Sequence, residues 1–146
     1  MYRASVLFIC VHNSARSQMA EVFLNHFGEE KFRAESAGLE PGILNPLVVE
    51  VMKEDGFDIS RNRTKSVNDI LRSGRQYTYV ITVCDEATAE RCPVFPGKGE
   101  RIHWEFADPS AFTGTREERL ARTRQIRDLI KATVKRFVKT TIVEEE

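Results

Sequence analysis

Cys10 and Arg16 stand six positions apart, between a short apolar run and the start of an amphipathic segment. A thiol and a guanidinium at that spacing can close a loop whose backbone N–H groups turn inward. Those donors, with the N-terminus of the following helix, make a seat for a tetrahedral oxyanion. The same field favours the thiolate form of Cys10, a nucleophile at neutral pH. Arg16 can grip two oxyanion oxygens at once through its planar fork, which a lysine cannot do. Ser17 can donate to the thiolate, and Asn13 tolerates the left-handed backbone such a loop requires. Val11, His12, Asn13, Ser14, Ala15 and Arg16 are thus the candidate oxyanion-binding loop, with Cys10 and Ser17 at its ends.

The elements around this loop decide whether other reactive side chains can reach it. Val6 to Ile9 is an unbroken apolar run, the pattern of a strand buried on both faces of a parallel sheet. Met19, Val22, Phe23, His26 and Phe27 then follow at helical spacing. Phe32 to Ser36 reads as a second strand, closed by Ala37-Gly38. Asn45-Pro46 marks a helix start, with Leu47, Val48, Val51 and Met52 on its buried face and Gly56 past its end. Ser66 caps a shorter helix through Leu71, stopped near Gly74. Tyr77 to Val83 is the strongest strand by β propensity, and Arg101 to Phe106 is a further one. Asp85 to Gly99 reads as a long loop. Thr115 and Glu118 form a capping box that opens a last helix, with Ile126, Ile130, Val134, Phe137 and Val138 as its stripe; the Glu144–Glu146 tail is expected to fray.

Strands and helices alternate without a linker or repeat. The expected fold is a single α/β domain over 1–146, a four-stranded parallel sheet with helices on both faces in a three-layer sandwich. In such sheets ligands bind outside the carboxyl ends of the strands. Cys10 follows the first strand, Cys84 the third, and Asp108 the fourth. One cysteine beside an apolar strand reads equally well as a small core residue. Two cysteines and an acid on one sheet edge point instead to a site.

Composition narrows the classes. With 22 Lys plus Arg against 22 Asp plus Glu, net attraction for nucleic acid or an acidic membrane is absent. Three cysteines are too few, and odd in number, for a secreted disulfide framework. The apolar run at Val6 to Val11 is followed by His12-Asn13-Ser14 where a signal peptide would continue, and no stretch is long enough for a membrane span. A soluble, cytoplasmic, monomeric protein is expected. A zinc site from Cys10, Cys84, Cys92 and His103 lacks the usual ligand spacing, so no metal and no cofactor is expected.

Cys10 to Ser17 resembles the phosphate-binding loop of low-molecular-weight protein tyrosine phosphatases and of the thioredoxin-coupled arsenate reductases that share their fold. Gln18-Met19-Ala20-Glu21, Val83-Cys84-Asp85-Glu86-Ala87 and Cys92-Pro93-Val94-Phe95-Pro96-Gly97 resemble the reductase branch, as does His103 to Pro109. The resemblance implies a three-thiol relay: Cys10 attacks arsenate, Cys84 attacks Cys10, and Cys92 attacks Cys84 to leave a Cys84–Cys92 disulfide for an external reductant. It makes Asp108 the general acid, stiffened by Pro109, and phosphate and sulfate competing oxyanions. Thioredoxin is the expected reductant, although the residues leave a glutaredoxin or a small thiol open. Eight helical residues span about 12 Å, whereas a disulfide tolerates roughly 4.4–6.8 Å between Cα atoms. Asp85 to Arg91 is therefore expected to rearrange on oxidation.

The chain departs from the family pattern at His12, where many such loops have glycine, and at Ala15, where several have cysteine. Some reductases of this family bind potassium at positions corresponding to Asn13, Glu21 and Ser36 plus a later acid. Here Lys65 falls in that stretch, and its ammonium is a candidate to replace the cation; a solvated surface lysine is the plainer alternative. The rival functions are a phosphatase hydrolysing phosphomonoesters through a phosphocysteine, and a non-enzymatic redox or oxyanion sensor. Ser110-Ala111-Phe112 after Asp108-Pro109, in place of the tyrosines usual in the phosphatases, argues against phosphotyrosine.

Overall fold

The computed structural model describes residues 3–83 and 99–142. Cys84, Cys92 and the expected redox segment Asp85 to Arg91 lie outside the described residues, as do most of the long loop and the Glu144–Glu146 tail.

Val6 to Ile9 is apolar without alternation because the strand that contains it has neighbours on both sides and helices over both faces. That strand, β1 (Ala4–Cys10), pairs in parallel with β2 (Phe32–Gly38) and with β3 (Tyr79–Thr82); β4 (Glu100–His103) extends the sheet beyond β3. The order is β2-β1-β3-β4, all parallel. The chain leaves β1 for one side of the sheet and later crosses to the other, so the carboxyl ends of β1 and β3 flank a topological switch point.

Period-two alternation sorts the core. Val6, Phe8 and Cys10 face one layer, where they pack with Met19, Ala20, Phe23 and Leu24 of α1 (Arg16–Phe27). The same cluster includes Ile130, Val134 and Phe137 of α4 (Arg116–Thr140), and Val48 and Met52 of α2 (Pro46–Glu54), which packs on α4. Leu7, Ile9, Ala37 and Val80 face the opposite layer, against Val67 of α3 (Val67–Arg72). Burying each of these large side chains contributes about 1.5–3 kcal/mol. The three-layer, four-stranded parallel architecture expected from the sequence is the one observed.

Helix caps follow the sequence. Asn45 accepts from Leu47 N ahead of Pro46, Ser66 accepts from Asp69 N, and Thr115 accepts from Glu118 N. The strands differ from expectation at their ends. β1 and β2 each run further, to Cys10 and Gly38, because those two residues are partners in register. The stretch 77–83 yields four paired residues, Tyr79–Thr82, and 101–106 only three, because β4 starts one residue earlier at Glu100 and stops at His103. Trp104 still donates to the Thr82 carbonyl (2.8 Å), but its ring then packs on Phe8 (5.8 Å) and Phe137 (5.6 Å). That anchor takes Phe106 and Asp108 off the sheet and toward α1. No helix among the described residues is long and apolar enough to cross a membrane.

Candidate active site

Cys10 ends β1 with only 2% of its surface exposed. The chain then turns through Val11 to Ala15 before α1 begins at Arg16. Four backbone donors from the segment after β2 bind the outer side of this turn: Leu39 N to Cys10 O (3.1 Å), Glu40 N to Val11 O (2.7 Å), Gly42 N to His12 O (3.0 Å) and Asn45 N to Ser14 O (2.9 Å). In a trans peptide the N–H points opposite to the C=O. With the carbonyls of Cys10, Val11, His12 and Ser14 fixed outward, the N–H groups of Val11, His12, Asn13 and Ala15 face inward. Asn13 N donates to the Cys10 sulfur at 3.1 Å, in keeping with that direction.

Asn13 makes the turn possible, since its φ of 55° lies in the left-handed region that Asn adopts more readily than most residues. Gly38 lets the turn lie against β2: a Cβ there would stand 2.7 Å from Asn13 N and 2.8 Å from Val11 O. Ser17, fully buried, places its Oγ 2.8 Å from Cys10 Sγ and accepts from Asn13 Nδ2 at 2.8 Å. As a thiolate Cys10 can only accept, so Ser17 O–H and Asn13 N–H then both donate to the one sulfur, an arrangement that favours the thiolate over the thiol. Cys10 is a free cysteine.

Arg16 opens α1 and is 3% exposed. Its Nη1 donates to the Phe106 carbonyl (3.1 Å), and its Nη2 lies 3.6 Å from Asp108 Oδ2. The loop after β4 is therefore drawn onto the Cys10 loop through this one guanidinium. The other carboxylate oxygen of Asp108 accepts from Ser110 N (3.0 Å), and Asn45 Nδ2 reaches Ser110 Oγ (3.0 Å), tying together the segments after β2 and β4. Asp108, a quarter exposed, keeps access to solvent.

His12 is exposed, and its Nδ1 lies 2.9 Å from the Glu40 carbonyl. A carbonyl only accepts, so Nδ1 carries the proton and donates it. Lys65 is not a free surface lysine. Its ammonium donates to Glu21 Oε1 (3.1 Å), the oxygen that also accepts from Ser36 Oγ (2.9 Å), while its backbone N–H donates to Asn13 Oδ1 (2.9 Å). Among the described residues no group of three or more His, Cys, Asp or Glu is placed to hold a metal ion.

The structure brings Cys10, the loop residues 11–16, Ser17 and Asp108 together; Cys84 and Cys92 lie outside the described residues. Sequence reasoning missed Gln18, Asn62, Asn45 and the Phe106 carbonyl. Gln18 falls off the apolar stripe of α1 yet is fully buried. Two of its three partners lie 44 and 45 positions away, so no local pattern reveals the network.

A parallel sheet that ends its central strand in a cysteine, wraps the thiol in inward amides and closes the loop with arginine is the architecture of small cysteine-dependent phosphatases and their reductase relatives. The chain belongs to the low molecular weight phosphotyrosine protein phosphatase family, whose model matches residues 5–146. It is 39% identical over 141 residues to an arsenate reductase of Shouchella clausii, covering 96% of this chain and 99% of that one. Among solved structures, an arsenate reductase from Archaeoglobus fulgidus superposes with a TM-score of 0.73 at 28% identity, covering 92% of this chain and 98% of that one. A thioredoxin-dependent arsenate reductase of Corynebacterium glutamicum gives 0.68 at 30% identity, covering 96% of this chain and 62% of the other.

Proposed function

We propose that this chain reduces arsenate to arsenite. The observation that carries the reading is the pair of donors converging on buried Cys10, Ser17 Oγ at 2.8 Å and Asn13 N at 3.1 Å, in a loop closed by Arg16. Full-length similarity to an arsenate reductase supports the choice of substrate.

Arsenate sits on the inward amides of residues 11–16 with Arg16 spanning two of its oxygens. The Cys10 thiolate attacks arsenic and displaces one oxygen as hydroxide, which Asp108 protonates to water. Loop amides and Arg16 hold the charge that develops. Cys84 then attacks the Cys10 sulfur. The arsenic–sulfur bond breaks with its electron pair left on arsenic, so As(V) becomes As(III), arsenite departs and a Cys10–Cys84 disulfide remains. Cys92 attacks Cys84, releases Cys10 as thiolate and leaves Cys84–Cys92 for the reductant. Thioredoxin fills that role in this reading, supported by the thioredoxin dependence of the Corynebacterium relative. No cofactor takes part, phosphate and sulfate compete for the loop, and the protein works as a single-domain cytoplasmic monomer.

A second reading, phosphomonoester hydrolysis through a phosphocysteine, is favoured by the family itself and uses the same loop and Asp108. Arsenate-dependent NADPH oxidation with thioredoxin and thioredoxin reductase separates the two. Cys84→Ser abolishes arsenate reduction and spares any phosphatase turnover. Reduction that persists in Cys84→Ser overturns the relay.

A further inference from the structure

Gln18, in the first turn of α1, is fully buried and plays no part in the reaction described above. Its Nε2 donates to the Arg63 carbonyl (2.9 Å) and to Asn13 Oδ1 (3.1 Å), and its Oε1 accepts from Asn62 Nδ2 (3.2 Å). These bonds have one permitted direction. The Arg63 carbonyl can only accept, so the Gln18 nitrogen must face it. The second N–H of that nitrogen then enters Asn13 Oδ1, an oxygen that also receives the Lys65 backbone N–H (2.9 Å). Asn13 is left to present Nδ2 to Ser17 Oγ (2.8 Å). Ser17, accepting there, has its own proton to donate to Cys10 Sγ (2.8 Å).

We propose that Gln18 is a positioning residue for the Cys10 nucleophile, setting with Asn62 and Arg63 the direction of a donor chain that runs Asn62, Gln18, Asn13, Ser17, Cys10. Each link donates toward the sulfur. Aligned bonds in a buried site polarise one another, and the last of them holds an anionic sulfur better than a neutral one. Without Gln18, Asn13 keeps only the Lys65 N–H to orient its amide. The turn at residues 62–65, between α2 and α3, thereby tunes the reactivity of a sulfur it does not touch.

The inference rests on Cys10 as nucleophile but not on which reaction follows, and its test needs no arsenate. Iodoacetamide alkylation of Cys10, followed on its peptide by mass spectrometry from about pH 4 to 9, gives the midpoint at which the thiolate appears. The charged groups around Cys10 are Arg16 from α1, Asp108 paired with Arg16 from the loop after β4, and His12 in the loop itself; the Lys65–Glu21 pair stands beside Asn13. All remain in every variant. Gln18→Met removes both N–H donors and an ionised Gln18→Glu presents only acceptors; both are expected to raise the midpoint by about one pH unit, about tenfold slower alkylation below it. Asn62→Ala, at the half-buried outer end of the chain, is expected to raise it by about half a unit. A folded Gln18→Met protein with the wild-type midpoint overturns the proposal. So does a shift in Gln18→Glu alone, which assigns the effect to a buried charge. If neither Gln18 variant folds, Asn62→Ala decides: a raised midpoint supports the chain, an unchanged one overturns it. Loss of the arsenate reading would leave this measurement intact.

Discussion

Gly38→Ala tests whether the sheet sets the geometry of the Cys10 loop. Gly38 pairs with Cys10 in register, and an added methyl would lie 2.7 Å from Asn13 N and 2.8 Å from both His12 C and Val11 O. Carbon contacts settle at about 3.5–4.0 Å, so the loop must retreat by about 0.7 Å or more. It cannot retreat as a unit, because Leu39, Glu40, Gly42 and Asn45 hold its outer carbonyls. The inward amides and the Asn13 N–H on the sulfur are therefore displaced from the oxyanion. A misplacement near 1 Å costs about a hundredfold. The expected fall in kcat/KM for arsenate is about 30- to 100-fold, about 2–2.7 kcal/mol at 1.36 kcal/mol per decade. Overpacking removes about 1–3 kcal/mol of global stability as well, so the assay is run on protein shown by circular dichroism to be folded. Steady-state kinetics with arsenate give the answer. A folded Gly38→Ala enzyme within about threefold of wild type would refute the reasoning that the strand pairing positions the loop.

Ser17→Ala removes the 2.8 Å donor to Cys10; hydrogen bonds to charged groups are worth about 1.5–3 kcal/mol, so Cys10 alkylation at neutral pH should slow at least about tenfold. Replacing sodium by potassium should change neither melting temperature nor arsenate turnover, because the Lys65 ammonium already sits on Glu21; Lys65→Asp should make both respond to potassium, and a potassium effect on the wild type would count against the substitution. Tyr77 donates to Glu35 at 2.6 Å, and burial first, then that carboxylate, hold its phenol proton well above the ordinary range. The folded protein keeps a proton that the unfolded chain releases near about pH 10. This stabilisation is whole below that pH and is lost as pH rises toward the folded value. Melting curves of Tyr77→Phe should accordingly fall less steeply with alkaline pH than those of wild type.

The parts of the fold written in local chemistry were legible. Asn45-Pro46, Ser66 and the Thr115–Glu118 pair each open a helix as their side chains dictate, and the apolar run before Cys10 is the central strand. Strand ends were not, because pairing partners and a single aromatic anchor set them: Trp104 carries the chain away from β3 two residues before the apolar pattern ends at Phe106. The site divides the same way. The loop from Cys10 to Ser17 can be read from residue types and spacing. The path from Asn62 through Gln18 to Asn13 joins segments 44 and 5 positions apart, and only the folded chain aligns it.

In the proposed relay two electrons leave the protein's own thiols for arsenic. A single-turnover experiment measures that directly: reduced protein is mixed with arsenate in the absence of any reductant, arsenite is quantified, and the disulfide is mapped by mass spectrometry. One arsenite per chain, a Cys84–Cys92 disulfide and a free Cys10 are the predicted result. Release of no arsenite, or arsenite formed with Cys84 and Cys92 both still reduced, would contradict it.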